Sequence, residues 1–590
     1  MKRRCAKSIW GKSKLLDFKP FDSGPRDGRI PSSTVETDIL IIGGGGAGCQ
    51  AAIFAQKAGA RSICIVEKGV IGASGCTVMG TYSCCAALGY TDPRDNPQVH
   101  FEDTFTAGRG IGDPELLGIY VEEAPLRVLE LANAGVPFEK EGGRLKQGRM
   151  FGHTYPRACY VGKRTGQAMQ WGLRKVLRNA TGIRRFNDVQ MYRLLQKDGR
   201  VFGSVGLCRK TFSLIHFLAK ATIIATGGCG QLYAHTTTSL DNTGDGLCIA
   251  FEAGASLMDM EFVQYYPVSA IYPRLLGMNR TVPTFLAFIP ESRIYNRLGE
   301  DFADAKYPGW RSFLSRDFLS QLIYREVLEG KGSPHGGAYI DVKAASLQDI
   351  ERHLTTGNYF QKISKKGIDL KTTALEIGPA SHFLMGGIRI GPSGETNVPG
   401  LYVAGEAAAG IHGANRLGGN ALSEILVTGA RAGQEAARFA AHFQGKFPAL
   451  PEETAWERWL KDLVAKPHSG TPPCHIKRSL QDCMWRYGGV IRTGEGLRKG
   501  LEILDDLEKS FCSDVSLSYG PCAYHLEMQD AIEVRLMLPI ARCILSAANR
   551  REESRGAHLR DDFPETRDEW RANLIVTRIE GKPSWEVKKR

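Results

Sequence analysis

A single arginine, Arg416, lies among small residues in the run GIHGANRLGGNALSE, which covers residues 410–424. Glycine and alanine let a backbone approach a bulky, flat partner closely. A guanidinium group is planar and stays charged, so an arginine in such a run can aim a planar charge at that partner. The alternative is structural, with Arg416 in a salt bridge to Glu406 or Glu424.

A glycine-rich turn near the start of the chain has the setting of a dinucleotide site. In TDILIIGGGGAG, residues 37–48, an apolar strand runs into G-x-G-x-x-G. A helix follows, and then a second strand, SICIVEK, which carries Glu67. The glycines admit a pyrophosphate at the helix N-terminus, and Glu67 can accept hydrogen bonds from a ribose. The predicted binding residues here are Gly43, Gly45, Gly46, Ala47, Gly48, Glu67 and Lys68.

Two later segments distinguish FAD from NAD. Residues 221–230, ATIIATGGCG, and residues 400–406, GLYVAGE, each read as a strand that ends in glycine. Flavoproteins that bind extended FAD return late in the chain to close over the ribitol and the isoalloxazine. Each segment alone is also typical of an ordinary strand-end turn. The three segments in order favour FAD.

Composition excludes several other classes of protein. A chain of 590 residues with 43% hydrophobic residues is expected to form two to four domains. Its fifteen cysteines form no C-x-x-C pair, which argues against a disulfide framework, a zinc site or a resident iron–sulfur cluster. The net charge of +13 is typical of a solvated basic surface or of attraction for anions. The sequence has no basic stripe interleaved with aromatic residues, so nothing in it points to nucleic-acid binding. No apolar run reaches the roughly 20 residues of a membrane span.

The glycine segments belong to a longer ordered set of motifs. With them the sequence resembles the flavoprotein subunit family of succinate dehydrogenase and fumarate reductase, which includes L-aspartate oxidase, from about residue 36 to 575. The motifs that carry the resemblance include GHTYPRACYVGKRTGQAM (152–169), NTGDG (242–246), MEFVQYYP (260–267), SHFLMGGI (381–388), VPGLYVAGEAA (398–408), HGANRLGGNALSE (412–424), LQDCMWRYGGVIRTGEGLRKGLEIL (480–504) and ANRREESRGAHLRDDFPETRDEW (548–570).

The resemblance implies an α/β fold in which a Rossmann-like FAD-binding domain carries an inserted α+β capping domain, followed by a helical domain and a C-terminal tail. The expected divisions are a basic N-terminal arm at 1–35, the FAD-binding domain at 36–255 and 371–445, the capping domain at 256–370, the helical domain at 446–545 and the tail at 546–590.

The resemblance also implies roles for individual residues. Arg416 is expected to clamp a substrate carboxylate, and His382 aligns with a histidine that holds a substrate carboxylate. A core position for His382, beside a glycine pair, is the alternative. The further residues expected to contact FAD are Ser74, Cys76, Thr77, Ala225, Thr226, Gly227, Asp245, Gly405, Glu406, Asn420, Ala421 and Leu422.

The capping region departs from the family pattern. Where MEFVQYYP usually ends Q-F-H-P, with a histidine that binds a carboxylate, this chain has Tyr266, and a phenol carries no positive charge at neutral pH. Dicarboxylate enzymes of the family also carry T-E followed by R-G-E-G-G, whose arginine is taken as the group that transfers the proton. In TFLAFIPESRIYN, residues 284–296, Thr284 matches, but Phe285 replaces the glutamate and Phe288 replaces the arginine.

A phenylalanine cannot move a proton, so another residue supplies this function or the reaction is different. The cations near in sequence are Arg274, Arg280 and Arg293, with Glu291 close by. We expect Arg293 to be the substitute donor, while a surface role for each of these arginines stays open.

The flavin attachment site differs as well. Family dehydrogenases carry S-H-T, whose histidine bonds covalently to FAD, and Cys76 stands at the histidine position in the run SGCTVMGTYSCC. Non-covalent FAD is the simpler expectation, and a thioether through Cys76 is the alternative.

The sequence therefore predicts an FAD-dependent oxidoreductase that moves a hydride between flavin N5 and a small carboxylate substrate and exchanges electrons with an iron–sulfur partner subunit. We expect a cytoplasmic protein that reaches a membrane only through such a complex. The alternatives are an L-aspartate oxidase-like enzyme, an adenylylsulfate reductase-like enzyme, and a flavin electron-transfer subunit without dicarboxylate chemistry.

Overall fold

The computed structural model describes residues 30–150, 152–272, 286–287, 289–309, 316–354, 359–450, 453–466 and 468–590. Its helices are α1 (Gly46–Lys57), α2 (Pro97–Ala107), α3 (Pro114–Asn133), α4 (Thr165–Arg178), α5 (Asp245–Glu252), α6 (Phe302–Lys306), α7 (Arg316–Leu328), α8 (Leu347–Leu354), α9 (Tyr359–Ser364), α10 (Asn420–Ala441), α11 (Ala455–Ala465), α12 (Pro473–Tyr487), α13 (Gly494–Asp514) and α14 (Leu526–Arg550).

The strands range in length from two to twelve residues. They are β1 (Ser32–Ile42), β2 (Ile63–Val66), β3 (Ser83–Cys85), β4 (Lys140–Glu141), β5 (Arg144–Leu145), β6 (Gln147–Gly148), β7 (Ala158–Tyr160), β8 (Ile183–Phe186), β9 (Val189–Lys197), β10 (Arg200–Cys208), β11 (Ser213–Ile224), β12 (Leu257–Met258), β13 (Val263–Tyr272), β14 (Arg293–Tyr295), β15 (Ala338–Asp341), β16 (Leu375–Leu384), β17 (Gly387–Arg389), β18 (Leu401–Val403), β19 (Ala408–Ala409), β20 (Ala572–Ile579) and β21 (Lys582–Lys589).

The largest sheet has seven strands in the order β8-β2-β1-β11-β10-β9, with β18 added beside β11. Strand β1 runs parallel to β2 and β11, and its apolar end, Ile39–Ile42, is buried. Such a continuous apolar run is typical of a parallel strand that is covered on both faces. Because β18 is parallel to β11, residues 401–403 return late in the chain to the sheet that holds the glycine turn.

A four-stranded sheet, in the order β13-β16-β15-β14, forms a second layer. Strands β13 and β16 are antiparallel, and they carry Gln264, Tyr266 and His382. Helix α7, which begins at Arg316, packs on β13. Strand β16 lies within the span predicted as 371–445, so the proposed boundary at residue 370 cuts through this sheet.

The C-terminal part of the chain packs against the rest through three helices and a further sheet. Helices α12, α13 and α14 pack on one another, and α14 also packs on α5. Strand β20 pairs with β12, which ties the last residues into a five-stranded sheet. The span predicted as a tail therefore contains two strands of a sheet. Among the described residues no helix is long and apolar enough to cross a membrane.

Candidate active site

A cavity of about 100 Å³ opens at the glycine turn between β1 and α1. Many of the predicted dinucleotide-binding residues share this cavity. Those that line it are Gly43, Gly45, Gly46, Ala47, Glu67, Lys68, Cys76, Thr77, Ala225, Thr226, Gly227, Asp245, Gly405 and Glu406.

The backbone of the turn fits an extended dinucleotide such as FAD. Gly43 has a φ of +109°, and a Cβ there would lie 2.3 Å from the carbonyl oxygen of Ala225. A Cβ at Gly45 would meet only the hydroxyl of Thr77, at 3.8 Å, so that position is open. The N-cap residue of helix α1, Gly45, provides no side-chain cap, and among the first-turn amides that of Gly46 donates to the Thr77 hydroxyl at 3.1 Å. Uncapped N–H groups beside an open glycine form the kind of site that binds a pyrophosphate.

Two charged residues at the end of β2, Glu67 and Lys68, have different bonding partners. Glu67 accepts a hydrogen bond of 2.6 Å from the amide of Gly44, and burial raises the pKa of its carboxyl group. Lys68 is tied up internally, because its ammonium group lies 2.9 Å from carboxylate oxygens of both Asp245 and Glu533. Glu67 is therefore placed to contact a ribose, whereas Lys68 anchors helix α14 to this cavity.

Five predicted cofactor residues lie elsewhere. Gly48 packs against the turn itself, since a Cβ there would be 1.9 Å from the carbonyl oxygen of Gly43. The Ser74 hydroxyl accepts a hydrogen bond from the amide of Val70, and the Asn420 side chain donates one to Thr104. Ala421 and Leu422 line a neighbouring cavity instead.

That second cavity has a volume of about 160 Å³ and shares Cys76, Thr77, Glu406 and Ile425 with the first. Arg416, which the sequence singled out, lies in its wall and is buried. Arg416 forms no ion pair with any described residue, since Glu424 pairs with His412 and the Glu406 carboxylate accepts from the amide of Leu384. The structure thus does not support the internal salt bridge considered for Arg416.

The guanidinium group of Arg416 is held by neutral acceptors. It donates to the side-chain oxygen of Gln264 at 3.1 Å and to the Leu417 carbonyl at 3.1 Å, and it lies over the ring of Phe383. Its buried Nε has no partner among the described residues. Burial, together with the neighbouring cation of Arg316, lowers the pKa of Arg416 to about 9. A buried guanidinium without a counter-ion is costly unless a ligand supplies the anion.

Arg316 is the second cation of this cavity, and the sequence did not identify it. It donates to the same oxygen of Gln264 at 2.8 Å, and its guanidinium lies 5.2 Å from the ring centre of Tyr266. Arg293, the predicted proton donor, is on the surface: its side chain is 59% exposed and pairs with Asp301. Of these two arginines, the structure thus places Arg316 in the cavity wall and Arg293 outside it. Thr284 lies outside the described residues.

His382 and Tyr266 both line the cavity, with their ring centres 4.9 Å apart. Burial and the two arginines lower the pKa of His382 well below its usual range, so its imidazole is neutral. Its Nδ1 lies 2.7 Å from the Thr237 hydroxyl. The Tyr266 hydroxyl is 2.7 Å from the hydroxyl of Tyr82. His382 is thus a cavity residue rather than a packed core histidine.

Cys76 and Glu406 stand where the two cavities meet. Burial, reinforced by Glu406, raises the pKa of the Cys76 thiol to about 12. Burial also raises the pKa of Glu406 to about 7. Near neutral pH the Cys76 thiol therefore stays protonated, whereas Glu406 is divided between its protonated and ionised forms.

Sequence reasoning missed the residues that reach the site from distant strands and loops. Tyr82 has no motif of its own and Thr237 is an ordinary polar residue in sequence, whereas Gln264 stands in the MEFVQYYP motif although no role was predicted for it. The signal available for Arg316 was its position at the start of a helix pattern, SRDFLSQLI. In the described part of the chain, no group of three or more His, Cys, Asp or Glu side chains is arranged to hold a metal ion.

Comparisons with known proteins agree with a cavity that holds FAD. The FAD binding domain family matches residues 38–422, and the family of fumarate reductase flavoprotein C-terminal regions matches residues 477–589. A subunit of fumarate reductase (CoM/CoB) from Methanothermobacter marburgensis is 38% identical, over 93% of this chain and 98% of its own length. A fumarate reductase flavoprotein subunit of Mycobacterium tuberculosis is 32% identical, over 92% and 95%. The structure of Sdh1 from Mycobacterium smegmatis in complex with UQ1 superposes with a TM-score of 0.86 and 32% identity, over 94% and 95%.

Proposed function

The chain belongs to the flavoprotein subunit family of fumarate reductase and succinate dehydrogenase and is an FAD-dependent oxidoreductase, and from that premise we propose that it acts on a carbon–carbon bond next to a carboxylate. Bound FAD supplies the hydride, through N5, that is exchanged with one carbon of that bond. The neighbouring carbon gains or loses a proton, so that a double bond and a single bond interconvert with two electrons. The residues of the second cavity hold the carboxylate and move the proton.

The observation that carries this proposal is the unpaired guanidinium of Arg416. The group is buried, has no carboxylate partner among the described residues, and keeps its Nε without a hydrogen bond. A substrate carboxylate would supply the missing anion and match the fork of the guanidinium. Its fixed position beside the cofactor cavity would hold the reacting bond in place, which lowers the entropic part of the barrier.

Arg316 is our candidate for the proton-transfer group. It lines the substrate cavity and shares the Gln264 oxygen with Arg416, so a carboxylate held by Arg416 would lie within reach of both arginines. The amide of Gln264 is fixed by its own donors, at 2.7 Å to Asn415 and 2.9 Å to the Arg416 carbonyl. That amide therefore sets the spacing between the clamp and the proton donor.

The proposed cofactor is FAD held without a covalent bond. A thioether at Cys76 requires its thiolate, and the raised pKa of this thiol disfavours that form. The expected result is complete release of FAD when the purified protein is precipitated with acid. Flavin that stays with the protein, and is absent from Cys76→Ser, would show the thioether instead.

The proposed electron partner is an iron–sulfur subunit, as the names of the relatives as subunits suggest. Support on this chain comes from two exposed apolar residues beside the segment that carries Cys76: Val70 is 44% exposed and Leu240 is 81% exposed. The Gly75 amide donates to Asp241 at 3.4 Å, which brings these two loops together. We place the complex in the cytoplasm, with membrane contact only through partner subunits. The described cysteines are free thiols, which suits a reducing compartment.

The test uses the purified holoprotein without oxygen. The flavin is reduced with dithionite, and fumarate, monomethyl fumarate and crotonate are each added while the flavin absorbance is followed. Reoxidation by at least one of these 2-enoates, slowed about 100-fold or more in Arg416→Gln, supports the proposal. If none reoxidises a flavin that is bound and reducible, the proposal fails, and adenylylsulfate and iminoaspartate become the acceptors to try.

A further inference from the structure

A loop that follows the glycines at 227–230 is joined to strand β16 beside the substrate cavity. The Ser381 amide donates to the His235 carbonyl at 2.9 Å, and the Thr237 amide donates to the Ser381 carbonyl at 2.9 Å. Ser381 and His382 are neighbours on β16, and Thr237 and His382 both line the cavity. The two backbone hydrogen bonds therefore fix the position from which the Thr237 hydroxyl reaches His382.

The Thr237 hydroxyl has one hydrogen and two possible acceptors. Its oxygen lies 2.7 Å from Nδ1 of His382 and 3.2 Å from the Ser381 carbonyl oxygen. That carbonyl already accepts from the Thr237 amide at 2.9 Å and from the Thr236 hydroxyl at 3.1 Å, which occupy its two lone pairs. The Thr237 hydroxyl therefore donates to Nδ1, over the shorter of the two distances.

An imidazole that accepts a hydrogen bond at Nδ1 carries its own hydrogen on Nε2. Burial, together with Arg316 and Arg416, lowers the pKa of His382 well below its usual range, so the ring is neutral and has a single N–H. Among the described residues, the hydrogen bond of this ring is made at Nδ1. The Nε2–H group is therefore the part of the ring that a ligand in the cavity can use.

The two tautomers of this ring would treat a carboxylate in opposite ways. A protonated Nε2 donates a hydrogen bond to a carboxylate oxygen, whereas a bare Nε2 turns a lone pair towards it. Hydrogen bonds to a charged partner are roughly twice as strong as neutral ones, so the choice of tautomer has a large effect on binding. A donor that is oriented before the substrate arrives needs no rearrangement during the reaction.

We infer that Thr237 is a positioning residue whose hydroxyl holds His382 in the Nε2–H tautomer, so that this imidazole donates a hydrogen bond to a carboxylate of the substrate. Thr237 acts through the ring of His382, which makes the contact. The inference rests on the proposed function for the carboxylate, whereas the tautomer is a property of the protein without substrate.

The first experiment removes the hydroxyl and keeps the shape of the side chain. The dithionite-reduced holoprotein is mixed without oxygen with fumarate, monomethyl fumarate and crotonate, and kcat and KM are measured for each acceptor that reoxidises the flavin. Thr237→Val should lower kcat/KM at least about fivefold, and Thr237→Ser, which keeps the hydroxyl, should not. A smaller loss in Thr237→Val, or an equal loss in Thr237→Ser, overturns the inference and leaves the proposed function intact. If none of the three acceptors reoxidises the flavin of the unchanged protein, the proposed function is rejected and this inference with it.

A matched control addresses the general effect of removing a buried hydroxyl. Thr37 is also buried, and its hydroxyl donates to the Ser62 carbonyl at 2.9 Å. Thr37→Val should leave kcat/KM within about twofold of the unchanged protein. A loss in Thr37→Val as large as that in Thr237→Val would show that the effect does not pass through His382.

The variant His382→Gln separates the proposed role from simple packing. A glutamine amide can donate to a carboxylate and has no tautomer to be set. In the His382→Gln background, adding Thr237→Val should therefore change kcat/KM by less than about twofold. The same loss in both backgrounds would show that Thr237 acts by packing, and would overturn the inference.

A spectroscopic measurement tests the tautomer without turnover. In protein with ¹⁵N-labelled histidine rings, protonated and bare ring nitrogens give separate NMR signals, and His382→Gln identifies the signals of His382. The expected result is a bare Nδ1 and a protonated Nε2, with a shift towards the other tautomer in Thr237→Val. A protonated Nδ1 in the unchanged protein overturns the inference, even if Thr237→Val fails to retain FAD.

Discussion

Replacing Arg316 by glutamine tests the assignment of the proton-transfer group. Glutamine keeps a donor for the Gln264 oxygen, now 2.8 Å from the arginine, but it has no proton to exchange. Proton transfer by a positioned side chain contributes about 10²- to 10⁴-fold to a rate, which corresponds to about 3–5 kcal/mol of barrier. The expected result is a fall in kcat by about that factor.

Binding should change much less than the rate. Arg416 keeps its own contacts with Gln264, Leu417 and Phe383, and the loss of the neighbouring cation removes one of the causes that lower its pKa to about 9. The carboxylate clamp therefore stays charged and in place. Dissociation constants of saturated monocarboxylates should stay within about threefold of the unchanged protein, because uniform binding is retained.

The assay follows single-turnover reoxidation of the reduced flavin by a saturating 2-enoate. Arg293→Gln is the matched control, since this arginine lies on β14, in the sheet against which α7 packs, but is 59% exposed and pairs with Asp301. It should react like the unchanged protein. A rate for Arg316→Gln within about threefold of the unchanged protein, or an equal loss in Arg293→Gln, would refute the reasoning.

Three further perturbations test the framework of the site. Gly43→Ala should lose FAD and cost about 2 kcal/mol or more in unfolding free energy, because a Cβ there meets the Ala225 carbonyl at 2.3 Å. The control Gly59→Ala has a similar φ of +96° but lies in open space, so it should retain FAD. Flavin absorbance and denaturant titration measure the two effects. Burial opposes ionisation of Glu533, but Lys68 and Lys477 outweigh it and lower its pKa to about 2. Because that folded value lies below the ordinary 4.5, the stabilisation is present above pH 4.5 and is lost as the pH falls towards 2. Glu533→Gln should lower the unfolding free energy by about 3–5 kcal/mol near neutral pH and flatten this acid dependence. The control Asp506→Asn, in an exposed pair with Lys509, should change the unfolding free energy by less than about 1 kcal/mol. His153→Leu removes the contact of 2.9 Å to the Gly418 carbonyl, two residues from Arg416, and should weaken carboxylate binding about tenfold while FAD is retained; unchanged binding would show that His153 does not position the clamp.

The cofactor half of the site could largely be predicted from the sequence. A strand, a glycine turn and a helix N-terminus are adjacent along the chain, so their spacing alone places Gly43, Gly45 and Glu67 around one cavity. Local geometry explains the partial failures too. Gly48 is required for packing within the turn, and Ser74 bonds to its own loop, although both lie in recognisable motifs.

The substrate half of the site could be predicted only in part. Arg416 and His382 were recognised because each stands in a distinctive motif, whereas Arg293 was chosen for its closeness in sequence to the missing arginine position. In the structure Arg316, at the first residue of α7, faces the cavity, and β14 carries Arg293 to the surface. Nearness along a chain does not decide which cation reaches a cavity when strands and helices intervene.

By itself the sequence determined the fold class and the cofactor and singled out Arg416 as a candidate clamp, because these depend on backbone conformations and residue types that are encoded locally. Only the tertiary structure decided which side chains complete the substrate cavity. Gln264 from β13, Arg316 from α7 and Tyr82 from a loop before β3 meet there only after the sheets have packed. Their charges and pKa values depend on burial and on mutual distance, and neither quantity exists before the chain has folded.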